Sequence, residues 1–194
     1  LLAFAVLLAL ATVLSVAFVD RPVARLVAGH VAWWGWFRVC AVPSLLALPV
    51  AAVGLVLDVV GRLRRVWRVA SVATLAGTAA KDELKWIFGR PWPQSWLHYG
   101  IYRFHPFTDG FLFGGFPSGH TAYIAAPMYV LWVLVPRFRV VWAGVTVLVM
   151  LGLVGAGYHF VGDVLAGLLT GVLCAWATLV LMGDSAHQGS SVPS

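Results

Sequence analysis

Charge is scarce in this 194-residue chain: Lys, Arg, Asp and Glu together make up 10% of it. A soluble domain carries about 25%. That shortage excludes an ordinary soluble globular protein, and the 61% hydrophobic content excludes disorder, because a chain this apolar must bury itself in something. Cysteine is nearly absent. Cys40 and Cys174 stand alone within apolar runs, so no disulfide framework is expected, and both read as packing residues. Acidic residues number 7 against 13 Lys and Arg, leaving a net charge of +6. In a soluble protein that excess would suggest nucleic acid; here basic cytoplasmic loops account for it, and no nucleic-acid partner is expected. There is no Walker-type glycine loop, cysteine cluster or acidic cage, so the residues call for no cofactor and no metal. Alternation of apolar and polar residues is missing too, which argues against a membrane β-barrel.

What the chain does have is long apolar runs. Six read as spans: about 1–19, 39–57, 69–88, 118–135, 140–158 and 162–182. The expected fold is therefore all-α, a polytopic membrane protein with six transmembrane helices in one bundle over residues 1–183. A polar, small-residue tail over 184–194 reads as disordered. The first run lacks a basic start and is long for a signal-peptide core, so it reads as a span. Residues 21–37 look too interrupted to cross and read as an interfacial stretch, with Trp33, Trp34 and Trp36 at headgroup depth. The loop 89–117 is long for so small a protein, which points to function. Four arginines, Arg62, Arg64, Arg65 and Arg68, crowd one short loop on the same side as both termini. This places the termini in the cytoplasm and the opposite loops outside.

On that outer face several ionisable residues converge, and such groups at membrane depth usually mark function. His159 and Asp163 share a helix face at i, i+4. A carboxylate so placed can accept the imidazole N–H and raise the basicity of the other nitrogen, as a nucleophilic or general-base histidine requires; a structural hydrogen bond in a bundle core is the other reading. Pro117-Ser118-Gly119-His120 opens the fourth span. Ser118 is a candidate N-cap, Gly119 lets an anion approach the free N–H groups, and His120 falls in the first turn; an ordinary capped helix start with a chance histidine fits as well. Lys81 suits a snorkelling lysine paired with Asp82 or Glu83, whereas Lys85 and Arg90 are better placed to hold an anion. Taken together, these groups suit phosphoryl transfer through a phosphohistidine: one histidine attacks, one protonates the leaving oxygen, and cations hold the remaining oxygens.

These residues resemble the type-2 phosphatidic acid phosphatase (lipid phosphate phosphatase) family, whose pattern is Lys-x6-Arg-Pro, then Pro-Ser-Gly-His, then Ser-Arg-x5-His-x3-Asp. The resemblance covers roughly 69–180. FPSGHTA at 116–122 carries the whole middle motif, and GYHFVGD at 157–163 carries the His-x3-Asp half of the last. It implies His159 as nucleophile, Asp163 as its orienting carboxylate and His120 as general acid. Ser118 and Gly119 would bind phosphate oxygens and Lys85 would clamp them. Two departures stand out. Trp92 occupies the place of the first-motif Arg, and Gly152-Leu153 occupies that of Ser-Arg. Arg90 and Arg103 are the candidates to replace the missing guanidiniums. The expected function is hydrolysis of a lipid phosphate or lipid pyrophosphate at the extracytoplasmic face, with a membrane lipid as substrate. The alternatives are a lipid-linked phosphotransferase with an acceptor pocket built from His98, Tyr99, Tyr102, Arg103, His105 and Asp109, or a non-catalytic lipid-phosphate binder.

Overall fold

The structure is a computed structural model that describes residues 1–108 and 110–188; Asp109 and the end of the polar tail, 189–194, lie outside the described residues. The described chain is all-α. Seven helices follow one another: α1 (Leu2–Ala28), α2 (Trp34–Val59), α3 (Arg65–Phe88), α4 (Pro93–Tyr99), α5 (Gly119–Leu134), α6 (Arg139–Gly155) and α7 (Val161–Gln188). A turn of π-helix over Ser15–Val19 widens α1 just ahead of Asp20.

Among the described residues, four stretches are long and apolar enough to cross a membrane: Leu2–Ala28, Trp34–Val59, Pro136–Gly155 and Val161–Gly183. Their outward faces are apolar. Leu2 is 79% exposed, Val59 89% and Val140 86%, a distribution that only a nonaqueous surrounding satisfies. The remaining two expected spans differ from these. α3 carries Lys81, Asp82, Glu83 and Lys85 in its last turns. α5 has 16 residues, about 24 Å at 1.5 Å per residue, less than the roughly 30 Å hydrocarbon core.

Several boundaries correct the sequence reading. Residues 21–37 are not a separate interfacial segment: α1 runs on to Ala28, and α2 already begins at Trp34. Asp20 and Arg21 do not stop the helix because Asp20 finds partners inside the protein, as described below. The span expected at about 162–182 corresponds to Val161–Gly183, but α7 itself continues to Gln188, into the stretch expected as a disordered tail.

α5 is the central element. It packs against α2, α3, α6 and α7, and Ala122, Ala126 and Val130 on it are fully buried. Small residues permit this packing. A Cβ on Gly171 of α7 would lie 2.8 Å from the Ala122 carbonyl oxygen, and one on Gly167 would run into that of Ser118. α2 lies along α6 in the same way: a Cβ on Gly152 would stand 2.7 Å from both Ala41 N and Phe37 O. α1 closes the bundle against α7.

Candidate active site

Three chain segments meet at one end of the bundle. α3 ends in Gly89, which caps the helix at φ +53° and turns the chain sharply so that Arg90 points inward. The loop strand at Arg90 then pairs with Gly114. From the other side, Ser118 caps α5: its Oγ accepts from Thr121 N at 3.4 Å and Thr121 Oγ1 at 3.1 Å. Ser118 N in turn donates to the Asp163 carbonyl at 2.9 Å, tying the start of α5 to the first turn of α7.

A cavity of about 790 Å³ opens beside this junction, and both His120 and His159 line it. Behind His159 stands Asp163. His159 Nδ1 lies 3.5 Å from Asp163 Oδ2 and has no hydrogen bond of its own. The same carboxylate oxygen accepts from Phe160 N at 2.9 Å, while Oδ1 takes Arg90 Nη1 at 2.6 Å. Asp163 is thus held from two sides, with one edge left toward the imidazole.

Arg90 does not reach the cavity. It is fully buried and spends its guanidinium on two carboxylates, Asp163 and Asp20, the latter at 2.7 Å from Nη2. The face of the group lies 4.5 Å from the centre of the Phe160 ring. Burial works against its charge, but Asp163 and Asp20 outweigh burial and hold its pKa above the ordinary arginine value. Asp20 also accepts from Gly162 N at 2.8 Å through its other oxygen. Arg90, expected as a phosphate ligand, therefore stands behind the orienting carboxylate.

The other expected residues fall into two groups. Lys85 lies near the site but off the cavity wall, its Nζ donating to the Gly114 carbonyl at 2.6 Å. Trp92 stands beside both Lys85 and His159: the ammonium is 5.1 Å and the imidazole centre 4.9 Å from the indole. Ser118 and Gly119 are buried and do not line the cavity either. Among the loop residues, His98 and Tyr99 line the cavity, whereas Arg103 is exposed and off its wall. Tyr102 turns inward to donate to the Val16 carbonyl at 2.5 Å, and His105 rests on Phe113.

Sequence reasoning passed over two residues. Asp20 directly follows the first apolar run, and an acid placed there is itself a signal that a partner awaits it. Arg38, just ahead of the second apolar run, lines the cavity.

The all-α bundle with apolar outward faces defines a helical membrane protein, with a buried His–Asp pair beside a cavity at one end. Residues 65–186 match the PAP2 superfamily, and the chain belongs to it. It is 35% identical over 97 residues to a lipid A 1-phosphatase of Rhizobium johnstonii and 34% identical over 97 residues to one of Rhizobium etli. Each match covers 50% of this chain, but 38% and 40% of those relatives, so the chain corresponds to well under half of their length. No solved structure gives a significant match.

Proposed function

We propose that this chain is an integral membrane phosphatase that hydrolyses a lipid phosphate or lipid pyrophosphate through a phosphohistidine on His159. The observation that carries the reading is the shared cavity: His120 and His159 line one space, and Asp163 backs the second of them. Six crossings accommodate the helices, with α3 and the short α5 sheltered by the four apolar ones. The basic loop around Arg62–Arg68 lies at the other end of α3 from the site. This supports cytoplasmic termini and an extracytoplasmic site.

In this mechanism Asp163 receives the Nδ1–H of His159, which directs the Nε2 lone pair at phosphorus. The N–P bond forms as the P–O bond to the leaving group breaks, and protonated His120 gives its proton to that oxygen. His120 then takes a proton from water. The water oxygen attacks phosphorus, the N–P bond breaks, and phosphate leaves. The 3.5 Å between His159 Nδ1 and Asp163 Oδ2 leaves room for a hydrogen bond that tightens in the reacting complex.

Phosphate release by purified protein over a panel of lipid phosphates tests this. Phosphatidate, phosphatidylglycerol phosphate, a polyprenyl pyrophosphate and, given the named relatives, a phosphorylated glycolipid belong on it. Turnover is expected with at least one member and should be inhibited by vanadate. His159→Ala should lower it by about 10⁴-fold or more, and appreciable residual activity would remove His159 from the nucleophile position. His98 and Tyr99 on the cavity wall favour a second reading, transfer to an alcohol acceptor. A phosphorylated acceptor formed with little free phosphate would select it.

A further inference from the structure

Phosphoryl transfer concentrates negative charge on oxygens that the protein must hold, and guanidinium groups suit that task. The cavity wall contains Trp92 and Leu153, the residues that stand where the family pattern has arginines, and neither Arg90 nor Lys85 reaches it. One permanently charged side chain lines it: Arg38, from α2. Arg38 lies outside the segment that matches the family.

We propose that Arg38 is the phosphate-holding guanidinium of this cavity, a role that rests on the phosphatase reading above. Four observations carry the proposal. Arg38 shares the wall with His120, His159 and Tyr158. Its guanidinium rests against two aromatic rings, 6.0 Å from the Trp34 centroid and 5.9 Å from that of Tyr158. Such contacts orient the group without consuming its N–H donors. Among the described residues it forms no ion pair or hydrogen bond, in contrast to Arg90, whose charge is doubly matched.

The fourth observation connects Arg38 to the altered motif. α2 approaches α6 closely because residue 152 is glycine: a Cβ there would stand 2.7 Å from Ala41 N and Phe37 O, flanking Arg38 in sequence. A Cβ on Gly155 would run into the Phe37 ring. A serine at 152 would push α2 away and take Arg38 with it. The same departure that removed a guanidinium from α6 thus lets α2 bring one in. The ligand is a phosphate dianion, borne by a lipid or free.

The test uses the full chain in detergent micelles, with two arms. One titrates inorganic phosphate and follows binding by calorimetry; the other measures phosphate release from the lipid-phosphate panel. Arg38→Ala should weaken phosphate binding at least about tenfold and lower kcat/KM by about 10²-fold. Arg38→Lys should recover part of the loss, because an ammonium keeps the charge without the bidentate fork. Adding Leu153→Arg to Arg38→Ala should restore activity from the α6 side. A thermal melt accompanies each variant, and Arg38→Lys serves as the decisive one if Arg38→Ala fails to fold. Dependence on Arg38 in the lipid arm alone would assign it to the lipid headgroup; dependence in both assigns it to the phosphate itself. Phosphate binding that depends on Arg38 without release from any lipid would sink the phosphatase reading and leave the anion site standing. Unchanged binding and turnover in the folded variants would overturn the site, as would a wild-type protein that binds no phosphate in either arm.

Discussion

Three buried charges, Asp20, Arg90 and Asp163, stand in a row behind His159. Each is at most 1% exposed, and each carboxylate also takes a backbone N–H. A buried ion is tolerated only when partners replace its water. Removing one member strands the others, so Asp20→Ala should destabilise the protein by about 3–5 kcal/mol, read as a lowered denaturation midpoint in detergent. Asp20 touches no group that would contact substrate. Its loss should therefore act through Asp163, lowering kcat more than it raises KM in protein that remains folded. The His-x3-Asp spacing was enough to pair His159 with Asp163. No spacing pointed to Asp20, because Arg90 Nη2 joins residues 70 apart in the chain.

Among elements, the contact between α5 and α7 decides the geometry. It is built on positions without side chains, and the Ser118 N to Asp163 O bond crosses it. Gly167→Val would place a branched side chain against the Ser118 carbonyl. Overpacking of this kind typically costs about 1–3 kcal/mol. The expected result is a lower melting midpoint and a loss of activity larger than the stability loss explains, since the shift falls on the motif that carries His120. The apolar runs located the long helices, but they broke off the first at residue 19, although α1 continues to Ala28. Arg21 and Arg25 interrupt the apolar pattern yet stay exposed, resting over the Tyr102 and Trp96 rings, so the helix runs on without burying them.

For the whole molecule, the exposed apolar surface calls for a bilayer, and the arginine-rich loop between α2 and α3 sets the expected orientation. Single cysteines in a background with Cys40 and Cys174 replaced test it. Arg62→Cys should resist a membrane-impermeant thiol reagent in intact cells, and Leu97→Cys on α4 should react. The reverse pattern would invert the topology and put the site on the cytoplasmic face.

Composition and run length sufficed for an all-helical membrane protein, because transferring an uncharged 20-residue helix into lipid needs no partner. Motif spacing sufficed to nominate His120, His159 and Asp163, since i, i+4 geometry is local. Which cation lines the cavity depended on the fold. Arg90 was drawn into a buried pair by carboxylates from α1 and α7, whereas Arg38 reached the cavity through the close approach of α2 to Gly152. Both outcomes follow from contacts between segments distant in the chain, where charge pairing and backbone approach depend on three-dimensional packing.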